Sequence, residues 1–147
     1  MGLAAISEAV AKACSFDAPF DVGDEKLAVE GTPRRVVWVP KTDTFTAPAY
    51  RGTPQRRSLF TRRITSHVHL WGKDLADAEA MLEAFIVALW QTCGPNFELL
   101  GGAWLGQSVM SLGRVYVLGV AIQAPIAEPA QQWVTITGET TDVALQH

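Results

Sequence analysis

Residues 64–94 read ITSHVHLWGKDLADAEAMLEAFIVALWQTCG, and two periodicities meet within them. Ile64, Ser66, Val68 and Leu70 alternate with Thr65, His67, His69 and Trp71. Such a period of two is that of a strand. After Gly72 the spacing changes: Leu75, Ala78, Leu82, Phe85, Ile86 and Leu89 recur at three- and four-residue steps, with Asp77, Glu79, Ala80 and Glu83 opposite. Asp74 is placed to cap the free amide hydrogens of a first helical turn. Gly94 suits a left-handed C-terminal stop, and Pro95 prevents continuation. The stretch therefore predicts a strand feeding an amphipathic helix of about five turns.

The rest of the chain has to fold around this unit. At 147 residues, 48% hydrophobic and 18% charged, it predicts a single domain, 1–147. A chain of this size buries roughly two-thirds of its unfolded surface. The net charge of −3 argues against a dedicated nucleic-acid binder, yet the charges are unevenly spread. No acid lies between Asp43 and Asp74, where Arg51, Arg56, Arg57, Arg62, Arg63 and Lys73 fall. No apolar run approaches the ~20 residues of a membrane span. Glu8 and Lys12 interrupt the alanine-rich start, so no signal peptide is expected, and Ile6 stands where myristoylation wants Ser or Thr. Cys14 and Cys93 lack zinc-motif spacing and read as thiols of a reducing, cytoplasmic compartment.

In chain order, 3–14 (LAAISEAVAKAC) predicts a short helix with Leu3, Ile6, Val10 and Ala13 on one face. Residues 15–24 read as an ordered loop. Residues 34–39 (RRVVWV) predict a strand ended by Pro33 and Pro40. Then 41–58 predicts a long flexible basic loop with Pro48, Gly52 and Pro54. After the central unit, 97–100 predicts a short strand, Gly101-Gly102 a bend or bulge, and 114–124 a strong strand ending at Pro125. Residues 132–137 (QWVTIT) predict a last strand and 138–147 a polar tail. The order fits an α+β domain: a mostly antiparallel sheet of four to five strands with two helices on one face. Val36–Val39 and Val115–Ile122 are apolar toward both faces. Two helices cover one face only, so the second face, or the edge strand 132–137, is expected to be covered by another subunit.

Chemistry-bearing residues are few. His67 and His69 would share a strand face about 7 Å apart, but a metal site needs a third ligand that the neighbouring sequence lacks. The acids Asp74, Asp77, Glu79 and Glu83 read as the solvated face and first turns of the helix. GGAWLG at 101–106 has neither Walker nor dinucleotide spacing, and no nucleophile elbow is present. Trp38, Trp71, Trp90, Trp104 and Trp133 read as core and interface anchors. No catalytic residue, cofactor or metal is expected. The arginine segment around Leu59 and Phe60 admits three readings: contact with a polyanion, docking to an acidic protein surface, or a solvated loop.

Taken together, PRRVVWVP at 33–40, HLWGKD at 69–74, DAEAMLEAFIVALW at 77–90, FELLGGAW at 97–104 and GRVYVLGVAIQAPI at 113–126 give a layout that resembles the tail-completion or tail-terminator proteins of long-tailed bacteriophages. The resemblance spans most of the chain and lies in layout and hydrophobic pattern, not in an invariant motif. It implies a small α+β subunit that assembles into a ring, commonly hexameric, in the virion neck. Such a ring caps the tail tube and docks to the head–tail connector, with DNA passing through its bore without specific binding. The partners implied are further copies of the chain, the tail tube protein and the connector or adaptor; no membrane is implied. In that setting Arg51, Arg56, Arg57, Phe60, Arg62, Arg63, His67, His69 and Trp133 are the candidate partner-binding residues. Three other readings stand beside it: a head–tail adaptor or head-completion protein of the same neck, a small cytoplasmic enzyme using His67, His69 and Arg114, and a basic-loop nucleic-acid binder.

Overall fold

The computed structural model describes residues 2–24, 33–47, 52–53, 56–105 and 113–127, with backbone alone for 52–53, 56–58 and 127. Its elements are α1 (Leu3–Ala13), β1 (Phe20–Val22), β2 (Arg35–Thr46), β3 (Gly52–Thr53), β4 (Arg56–Gly72), α2 (Leu75–Cys93), β5 (Phe97–Trp104) and β6 (Arg114–Ala127). The strands order as β1-β2-β4-β6-β5, with β3 paired to β4. Pairing is mostly antiparallel, the short β1 being parallel to β2. The α+β class and the two helices are those the sequence predicts. By contact density the chain divides into two compact units, Met1–Thr44 with Arg63–Ala124, and Phe45–Arg62 with Pro125–His147.

In the first unit both helices pack on one sheet face. Ile6 and Val10 of α1, Met81, Phe85, Ala88 and Leu89 of α2, and Val36, Trp38, Val68, Leu70, Leu118, Val120 and Ile122 of the sheet form one core. Phe85 lies at its centre, with ring centroids 5.4 Å from Trp38 and 6.3 Å from Phe20. The α2 start is built as its sequence requires. Asp74 accepts from the Asp77 amide at 2.8 Å, while Asp77 accepts from the Lys73 amide at 2.8 Å and pairs with Arg34 at 3.3 Å. At the other end the Gly94 amide donates to the Trp90 carbonyl at 2.9 Å, with φ of 58° at Gly94. The predicted helical stripe needs one change: Leu75 is exposed, and Met81 and Ala88 are buried instead. The β5–β6 register slips between Leu99 and Gly101, where Gly101 takes a φ of 103°. That is the predicted bulge.

Several boundaries differ from the sequence reading, among them the strand predicted at 97–100, which runs on to Trp104. The segment 41–58 is no continuous loop: β2 runs to Thr46, and β3 and β4 take up 52–53 and 56 onward. Thr42, Thr44 and Thr46 continue the strand through Pro40. Along β2 the amides of even-numbered residues face β1, as the Val36 amide does in donating to the Pro19 carbonyl. That pairing ends where Gly23 donates to Trp38, so Pro40 forfeits no bond there. Pro125 is tolerated within β6 in the same way, because pairing on its side ends where Gln123 donates to Asn96. Within 15–24, β1 adds on the opposite side of β2 from β4. The predicted strand at 132–137 and the tail at 138–147 lie outside the described residues.

The second sheet face also corrects an expectation. Val37, Val39, His69, Trp71, Val115 and Ala121 point away from the helices, yet all are buried within the single chain. Trp71 and Val115 pack together there, as do Val37 and Val39. These side chains are therefore buried in the single chain.

Candidate protein-contact surface

The residues singled out by sequence fall in different places. Arg51 and Trp133 lie outside the described residues. Arg56 and Arg57 open β4, opposite Thr53 and Gly52 of β3. With exposed Phe60 and half-buried Arg62, they belong to the second unit. Arg63, His67 and His69 belong to the first.

Arg63 is no free cation, since its guanidinium pairs with Glu98 of β5 at 3.0 Å. Both side chains are largely exposed, so this pair contributes little to stability. His67 and His69 share a strand face, but His67 is exposed while His69 is 5% exposed, so they present no joint accessible pair. Among the described residues no group of three His, Cys, Asp or Glu side chains is placed to hold a metal. Around His67 the face is polar, with the Thr42 and Thr65 hydroxyls hydrogen-bonded across β2 and β4. Arg114 lies 5.4 Å from the Trp104 ring centroid, and Trp104 meets Tyr116 edge-on at 4.9 Å.

Burial pushes the Cys14 thiol up to about 11 and raises that of Cys93. Both are therefore protonated near neutral pH, which makes them poor nucleophiles.

The described residues also leave large apolar side chains exposed on α2 and β5. Val87 and Trp90 of α2 are 56% and 60% exposed, and Trp90 meets Phe97 edge-on at 6.4 Å. That contact joins the helix to β5, the outermost strand among the described residues, on which Leu99 and Leu100 are exposed. From Leu99 to Ala103 this edge carries no charge and no proline. Natural sheet edges are blunted by such residues or by bulges; β2 carries Pro40, Lys41 and Asp43, and β5 has the bulge at Gly101. The sequence reading missed this surface. Its signal was available: Val87 and Trp90 are large apolar residues three apart on α2, and both fall off the core-facing stripe.

The sequence matches no protein-family model, and no curated protein matches it.

Proposed function

We propose that the chain is a non-enzymatic structural subunit of a bacteriophage virion, assembling into a ring of about six copies at the head–tail junction. In this reading the ring caps the tail tube on one side and offers a docking face to the head connector on the other. Viral DNA passes through the bore without specific recognition.

One observation carries the reading: large apolar side chains, Val87 and Trp90 on α2 and Leu99 and Leu100 on β5, stand exposed in the single chain. Large exposed apolar patches mark protein contact surfaces, and tryptophan is favoured at the centres of such contacts. An enzyme of this size would be expected to gather polar groups in a pocket. Here the candidate histidines diverge in burial and the thiols are held protonated. The two-layer architecture, with helices on one sheet face, agrees with the layout that the resemblance implies.

Electron-microscope class averages of the purified protein test the proposal. A closed annulus with rotational symmetry is expected. Single compact particles at every concentration would count against it.

A further inference from the structure

On the sheet face away from the helices, Arg63 of β4 pairs with Glu98 of β5 at 3.0 Å. These strands are not neighbours, because β6 runs between them. The pair therefore arches over β6. It does so above Ala121, the residue opposite Glu98 in the β5–β6 register, whose side chain is a single methyl group. Beside the arch lies a pocket of about 170 Å³, lined by Arg63, Pro95, Asn96, Glu98, Ala121 and Gln123 among others.

Backbone bonds fix the rim of this pocket. The Asn96 amide donates to the Cys93 carbonyl at 3.1 Å, and the Gln123 amide donates to the Asn96 carbonyl at 2.9 Å. Two carboxamides are thereby held beside the ion pair. The bond between Arg63 and Glu98 uses one guanidinium nitrogen and one carboxylate oxygen. The other N–H groups of Arg63 and the other oxygen of Glu98 remain for a ligand, and each carboxamide adds donors and an acceptor.

This set of groups narrows the ligand. A simple anion would meet Glu98 and a simple cation would meet Arg63. An apolar molecule would strip water from polar groups and return nothing. A molecule that carries both charges answers both. A dry cavity of about 150 Å³ holds a benzene molecule, so the pocket has room for an amino acid no larger than serine. We infer that this pocket binds a small zwitterion of the α-amino-acid class. Its carboxylate meets the guanidinium of Arg63, its ammonium group meets Glu98, and the Asn96 and Gln123 carboxamides take up the remaining hydrogen bonds. Because the charged groups are largely exposed, binding is weak, in the millimolar range. The pocket lies on one chain, so the inference is independent of the ring-subunit reading.

The test follows the side-chain amide resonances of Asn96 and Gln123 by NMR while L-alanine is added to the full chain at fixed ionic strength. Both should shift and saturate. Lactate, which keeps the carboxylate but has no ammonium group, and ethylamine, which has no carboxylate, should each bind about tenfold more weakly. Arg63→Gln and Glu98→Gln should each weaken alanine binding by a similar factor. Both variants should keep the wild-type melting temperature, because an exposed pair contributes little to stability; lost binding is then not lost folding. The absence of a saturable shift with alanine would overturn the inference. So would lactate binding as tightly as alanine, or alanine binding that is unchanged in both variants. Each of these outcomes leaves the ring reading standing.

Discussion

Replacing Trp90 by Ala perturbs assembly and folding by amounts that can be read side by side. Trp90 is 60% exposed in the single chain, and its aromatic contact is with Phe97. A tryptophan side chain buries on the order of 150–250 Å², so the exposed part amounts to roughly 90–150 Å². At ~25 cal/mol per Å², covering it with a neighbouring subunit contributes about 2–4 kcal/mol. That corresponds to roughly 30- to 700-fold in the association constant of each contact. Within the isolated chain the same substitution loses the buried remainder, roughly 60–100 Å² or about 1.5–2.5 kcal/mol, together with the edge-on contact with Phe97, about 0.5–1.5 kcal/mol. The assay is a dilution series by analytical ultracentrifugation, run beside urea denaturation at a concentration where the protein is monomeric. The assembly midpoint should move by one to three decades while the urea midpoint falls by the equivalent of about 2–4 kcal/mol. An unmoved assembly midpoint would refute the assignment of this surface. A fall beyond that range would show that Trp90 belongs to the core after all.

Other substitutions probe the fold itself. Phe85→Ala removes the ring between Trp38 and Phe20 and should cost about 3–5 kcal/mol. The urea midpoint should then fall with little change in slope. Gly72→Ala would set a methyl group 2.5 Å from the Ala78 nitrogen and 2.8 Å from its Cα. Helix backbone cannot yield as a side chain can, so about 1–3 kcal/mol should be lost, read from the same denaturation curve. The Cys14 thiol, raised from 9.0 to about 11 by burial, should react with iodoacetamide along a pH curve whose midpoint lies near 11. The linkage sign follows, since the folded state holds its proton more tightly than the unfolded state. This contribution to stability is complete below pH 9 and is lost as pH rises through 11. A thiol titrating at its ordinary value would contradict the burial.

The parts of this fold that local chemistry dictates were legible in the sequence. α2 announces itself through its stripe, the Asp74 cap and Gly94; the cap and the glycine stop are found in place, and the stripe is found with Met81 and Ala88 in it and Leu75 out of it. The bulge at Gly101 was readable because two glycines interrupt an otherwise apolar strand. What escaped depends on distant segments. Pro40 reads as a strand terminator, and whether it ends β2 depends on where β1 stops, about twenty residues earlier. Apolar residues on both sides of β2 and β6 implied a missing partner, but burial within the same chain answers that pattern. Period-two spacing put His67 and His69 on one face, but it carries no information about how far along the strand the cover reaches. Arg63 looked like one member of a basic run until Glu98, 35 residues on, was found beside it. The contact surface of α2 and β5 went unread for a related reason. An apolar side chain carries the same sequence signal whether it enters the core or faces outward.

Native mass across a concentration series tests the central claim most directly, because it counts copies without presupposing which surface joins them. The account predicts a single closed species of about six subunits, in keeping with rotational symmetry, that dissociates on dilution without a ladder of larger forms. A monomer at every concentration, or an open-ended series with no preferred size, would contradict it.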